Sequence, residues 1–112
     1  MTWKEAQEGT IRQWKTIRDA IGPADTVTLL TEINAVCDLC EKSDEMKGET
    51  PFGRCDYCLF YQQFGGCKEV SARMSELVAE GRRDEVRALV DDMIAKTEVM
   101  KVPVERLPVV AA

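Results

Sequence analysis

Histidine is absent from all 112 residues. The chain therefore lacks the side chain most often used for acid–base work near neutral pH and as a metal ligand. Long apolar runs are absent too: nothing approaches the ~18–20 consecutive apolar residues that span a bilayer. The opening Met1-Thr2-Trp3-Lys4-Glu5 is charged at once, with no apolar core of a signal peptide, so a cytoplasmic location is expected. Basic runs are missing. With 15 Lys+Arg against 20 Asp+Glu the net charge is −5, and nearly all of the acidic excess falls in residues 23–50. Such a chain is a poor partner for a phosphate backbone, so no nucleic-acid partner and no membrane partner are expected. There is also no nucleophile elbow and no Gly-rich phosphate loop, which leaves catalysis without a recognisable apparatus. The expectation is that the protein is not an enzyme.

Five cysteines are present, at Cys37-x2-Cys40-x14-Cys55-x2-Cys58-x8-Cys67. Five cysteines placed at random in this length would give roughly 0.2 pairs at that spacing, and here there are two. An odd count without a secretory signal argues against a disulfide framework. A two-residue gap lets one turn of backbone point both sulfurs at a single ion, and two such units can close a tetrahedral site of four thiolates. The sequence thus predicts one Zn2+ on Cys37, Cys40, Cys55 and Cys58, with Cys67 as substitute ligand. With zinc bound to four thiolates the net charge becomes about −7. An iron–sulfur cluster is the second reading, and five reduced, buried thiols the third. If Cys67 is not a ligand, its place near a helix start would lower its pKa through the dipole. It is then either a reactive thiol or, more ordinarily, a core residue.

The fold class predicted around this cluster is all-α. Thr2 and Glu5 form a capping box for a helix over 2–21, with Trp3, Ala6, Trp14, Ile17 and Ile21 on one face and Gly22-Pro23 as its stop. A second helix over 25–40, capped by Asp25, puts Leu29, Ile33, Val36, Cys37 and Cys40 on one face. Polar residues 42–54 read as a loop. After the turn at Gly65-Gly66, a helix over 68–80 turns Val70, Met74, Leu77 and Val78 inward. Gly81 separates it from a helix over 83–100, whose inner face holds Val86, Leu89, Val90, Met93, Ile94 and Thr97. Two N-terminal and two C-terminal helices thus flank a Cys-rich segment. Residues 1–101 form a single zinc-binding domain and 102–112 an extended tail. In this arrangement metal removal separates the two halves.

The run Cys-Asp-Leu-Cys … Cys-Asp-Tyr-Cys-Leu-Phe-Tyr … Gly-Gly-Cys over residues 37–67, after a Trp-bearing helix, resembles a loose group of small five-cysteine proteins of phages and bacteria. Where those proteins often carry a proline and a Gly-Thr-Pro-Tyr segment, this chain has Leu59 and Lys68-Glu69. The resemblance implies a metal-centred small protein and no particular reaction.

Phe52, Tyr57, Phe60, Tyr61 and Phe64 crowd into the same segment. They read as a shell packed round the metal, with a docking surface as the alternative. The acidic Asp38, Glu41, Asp44, Glu45 and Glu49 read as a solvated loop, and Asp91-Asp92 as neighbours that point apart. The apolar ending Leu107-Pro108-Val109-Val110-Ala111-Ala112 reads as a tail, a docking peptide or a degradation-tag-like end. The expected function is a zinc-stabilised protein–protein interaction or regulatory protein. A thiol-based or iron–sulfur redox sensor and a nucleic-acid-binding regulator are the alternatives.

Overall fold

The computed structural model describes residues 1–105. Helix α1 (Trp3–Ala20) starts where the sequence places it. The Glu5 amide donates to Thr2 Oγ1 at 3.1 Å, and the Thr2 amide donates to Glu5 Oε1 at 3.0 Å. Trp3, Ala6, Trp14, Ile17 and Ile21 are all buried, so the 3.6-residue stripe is real.

The predicted helix over 25–40 is two helices. Helix α2 (Thr26–Ile33) is capped by Asp25, whose Oδ1 accepts from the Thr28 amide at 2.7 Å. It ends at Asn34, whose side-chain amide donates back to the Leu30 carbonyl at 2.8 Å and across to Ser75 Oγ at 3.2 Å. Helix α3 (Asp38–Lys47) then begins with Cys37 as its N-cap residue. The break leaves Val36 half exposed, not on the inner face. Local chemistry explains it. Three threonines and a valine make α2 a weak helix, and Asn34 competes for its last carbonyls.

Helix α3 occupies residues expected to be a loop. Its inner face is Leu39, Lys42 and Ser43, all buried, at the i, i+3, i+4 spacing. Two of those three are polar by type, which hides the period. Lys42 buries its carbon chain while its ammonium reaches out. It sits 5.8 Å over the Trp3 ring and 3.3 Å from Glu105. Glu105 also accepts from the Trp3 backbone amide, so residues 102–105 are held against α1 and α3.

A 3-10 turn (Arg54–Tyr57) and a short helix α4 (Leu59–Gln63) follow. Gly65 and Gly66 both take left-handed φ, 69° and 67°, which only glycine adopts without strain, and this turns the chain into α5 (Cys67–Ala79). After Gly81 comes α6 (Arg83–Val99). Met74, Leu77 and Val78, and Val86, Val90, Met93, Ile94 and Thr97, are buried as predicted. No strand occurs among the described residues.

The first and last helices pack along one another, α3 lies across α1, α2 lies on α5, and α5 and α6 form a hairpin. The two halves therefore share one core and do not stand apart. Polar ties reinforce this. Gln7 donates to the carbonyls of Thr97 at 2.8 Å and Met100 at 3.0 Å. Arg83 Nη1 donates to those of Ile21 and Ala24, both at 2.6 Å. The sequence suggests a zinc centre that ties the halves together; in the structure direct helix packing of α1 with α6 and α2 with α5 joins them. None of the helices among the described residues is long and apolar enough to cross a membrane. Leu107–Ala112, the apolar ending, lies outside the described residues.

Candidate metal centre

Three separate pieces of chain bring the cysteines together. Cys37 is the residue before α3 and Cys40 lies in its first turn. Cys55 is in the 3-10 turn, and Cys58 links that turn to α4. Cys67 opens α5. All five are free thiols, and all five line one cleft of about 340 Å3. Its floor includes Trp14, Ile17, Ile33, Leu39 and Phe60 from the core, and Thr10 and Arg54 supply polar groups. Cys58 is buried and the other four are partly buried.

The convergence stops short of a closed site. Among the described residues, no group of three or more Cys, Asp or Glu side chains is disposed to hold a metal ion. The first pair shows a local reason: the sulfurs of Cys37 and Cys40 hydrogen-bond to each other. The Cys40 thiol donates to the Cys37 sulfur and brings the Cys37 pKa down to about 6, against the opposing effect of burial. The amides of Cys40 and Leu39, at the positive end of α3, and the Thr10 hydroxyl add to the lowering. Cys40 is pushed well up by the same bond, then by burial and the negative charge on Cys37. One proton is thus shared, and the pair is the titrating unit.

Cys67 differs from its expectation. Burial and then the neighbouring Cys55, Cys58 and Cys37 push its thiol up, and these outweigh any lowering by the start of α5. It is a member of the cluster, not an isolated reactive thiol. Arg54, held by Asp44 at 3.2 Å, stands in the cleft wall beside Cys40 and Cys55. Asp44 chiefly, and then Cys40, raise its pKa, so it stays a cation facing the sulfurs.

The aromatic segment is not the closed shell the sequence suggests. Phe60 is buried, but Phe52, Tyr61 and Phe64 are 60%, 43% and 38% exposed. A five-residue helix has room to turn only one of its aromatic rings inward. The acidic residues of 38–45 lie on α3, not in a loop, with Asp44 and Glu45 in ion pairs. Asp91 and Asp92 do point apart, toward Arg18 at 3.8 Å and Lys96 at 2.8 Å.

Sequence reading missed Thr10, Arg54, Lys42 and Arg83. One signal was available for Thr10. The stripe Trp3, Ala6, Trp14, Ile17 skips a turn, and position 10 fills it with a hydroxyl. Compared with known protein families, with curated proteins and with solved structures, the chain matches none.

Proposed function

We propose that the cysteine cleft is a structural metal centre and that the protein is a non-enzymatic interaction or regulatory protein stabilised by it. The carrying observation is that five free thiols from three separate stretches of chain line a single cleft. Unligated thiols have no reason to gather in this way across a fold that already has a core. Zinc is the proposed occupant, since thiolates without histidine suit it and a four-thiolate site leaves no position open for chemistry. Cys37, Cys40, Cys55 and Cys58 are the proposed ligands, with Cys67 in reach as a substitute. Arg54 and the start of α3 suit the negative charge of a zinc–thiolate centre. Closing the site requires sulfurs roughly 3.8 Å apart, from the Zn–S length of about 2.3 Å. A change of side-chain rotamers and of the short 3-10 turn would supply that approach.

The cleft volume favours a second reading. About 340 Å3 exceeds what one ion needs, and a polynuclear iron–sulfur cluster is the thiolate-held group that would use more of it. Contact with a partner protein is proposed through the exposed rings of Phe52, Tyr61 and Phe64, because aromatics are enriched in such interfaces. With a net charge of −5, binding to DNA or RNA is not part of the proposal.

Anaerobic purification with elemental analysis tests the centre. One zinc per chain in colourless protein is expected, and iron with acid-labile sulfide in brown protein would select the cluster. Protein purified with neither metal, and unable to take up either, would end the metal reading.

A further inference from the structure

We infer that residues 100–105 are a releasable strap, which holds the cysteine-bearing helices α3 and α4 on the α1–α6 frame and opens the thiol cleft when it lets go. The inference goes beyond the metal reading and stands whatever the cleft holds.

Residues 100–105 form no helix or strand, yet they are tied down at several points. Met100 is buried and Val102 packs against the core. The Met100 carbonyl accepts from Gln7 of α1 at 3.0 Å. Lys101 gives both of its backbone groups to one side chain at the end of α4. Its amide donates to Gln63 Oε1 at 2.8 Å, and its carbonyl accepts from Gln63 Nε2 at 2.7 Å. The Glu105 carboxylate accepts from the Trp3 amide and meets the Lys42 ammonium of α3 at 3.3 Å. Trp3 opens α1, where amides lack partners within the helix and negative charge is favoured. One short stretch thus fastens α1, α3 and α4 together.

Two of those helices carry the cleft. Cys37 and Cys40 stand at the start of α3, and Cys58 precedes α4. With five residues, α4 is too short to hold itself as a helix. It packs against the 3-10 turn and has Phe60 as its buried residue, so Gln63 is its tie to the C-terminal segment. Lys42 has a second ion-pair partner, Glu45 at 3.8 Å, but that residue is on α3 itself. Glu105 is the partner that reaches in from outside the helix. The fastenings are shallow. Both Gln63–Lys101 bonds are exposed, Val104 is 91% exposed, and Pro103 has no amide to donate. Exposed bonds with few buried contacts mark the part of a structure that opens first. A protein that draws this segment away would loosen α3 and α4 while α1 and α6 stay packed.

Pulse labelling with a maleimide, read by mass spectrometry at each cysteine of the full-length protein as purified, tests the strap. Gln63→Ala combined with Glu105→Ala removes two fastenings. Labelling of Cys40 and Cys58 should speed about tenfold, the effect of losing two net hydrogen bonds. Amide exchange in the middle of α6 should stay at the wild-type rate. Val104→Ser is the control, since that side chain fastens nothing, and it should change neither readout. If the double variant fails to fold, Glu105→Gln keeps the shape of the side chain and should speed labelling about threefold. Wild-type labelling rates in a folded strap variant would overturn the inference. So would α6 amides that exchange faster by the same factor, because the segment would then be an ordinary part of the common core.

Discussion

Demetallation should open one part of this protein and spare the rest. The frame of α1, α2, α5 and α6 buries Ile17, Ile21, Leu29, Met74, Val86, Val90, Met93 and Ile94. Each such side chain contributes ~1.5–3 kcal/mol on burial. Residues 34–66 bury far less apolar surface, chiefly Leu39 and Phe60 with the Cys58 thiol. Those two large side chains supply ~3–6 kcal/mol together. Ordering backbone costs ~1–2 kcal/mol for every residue fixed. A bound metal would supply part of that difference, since structural zinc supplies ~10–16 kcal/mol in finger peptides. Hydrogen exchange read by mass spectrometry, with and without metal, localises the effect. Losing ~3–6 kcal/mol of local stability should speed exchange ~10²–10⁴-fold in 38–63. Amides in the middles of α1 and α6 should keep their protection. If they lose it together with 38–63, the shared core does not hold the halves. If 38–63 keeps its protection in protein shown free of metal, the metal is not structural.

Four further outcomes follow from single contacts. Demetallated protein should gain stability as pH rises from about 6 towards the ordinary thiol range. Cys37 ionises at about 6 when folded and near the ordinary thiol value of 9.0 when unfolded, so its contribution is complete above the unfolded value and lost as pH falls through the folded one. Above that range stability should decline, because folded Cys40 keeps a proton that the unfolded chain gives up. Urea melts over this range check both limbs, and a Cys37→Ser variant that keeps the rising limb would refute the assignment. Arg83→Leu should cost about 2–4 kcal/mol in a thermal melt, since it removes two short bonds from a charged donor to the carbonyls of Ile21 and Ala24. A loss under about 0.5 kcal/mol, the level of an ordinary surface change, would show that the clasp contributes little. Lys42→Met should cost about 1–2 kcal/mol and couple to Glu105→Gln in a double-mutant cycle, because the two side chains meet at 3.3 Å; additivity would deny the contact. Gly9→Ala should fail to deliver the ~1 kcal/mol that the swap gives an open helix. In an Asp38→Ala background, with the obstructing carboxylate gone, the gain should return.

The elements that were legible in the sequence are those whose inner faces are built from apolar residues at strict spacing. For α1, α5 and α6 the boundaries came out within about two residues, which is the usual play of helix ends. Reading failed where the inner face is polar by type. Leu39, Lys42 and Ser43 carry α3, and a lysine that buries its stem looks from sequence like a solvated one. It failed again where periodicity ran through a break. Leu29, Ile33, Val36, Cys37 and Cys40 fit one face on paper, but Asn34 ends the helix and sends Val36 outward. For the site, spacing placed all five cysteines in one neighbourhood. Spacing could not show that Cys37 and Cys40 would share a proton, or that α1 would contribute Thr10. The first depends on side-chain placement within the first turn of α3, and the second on how α3 packs against α1, which is not a property of either segment alone.

The pairing of α1 with α6 bears on how the chain is made. Synthesis delivers α1 first, yet the surface that covers its apolar stripe comes largely from Val86 onward, near the other end of the described chain. Until α6 emerges, the nascent polypeptide must carry Trp14 and Ile17 without their final partner. All five cysteines precede α6 in the chain, so the thiols are displayed before the core has closed. If the cleft takes a metal as proposed, its capture could therefore begin before α6 docks. A supply of metal during translation could seed the compaction that α6 later completes.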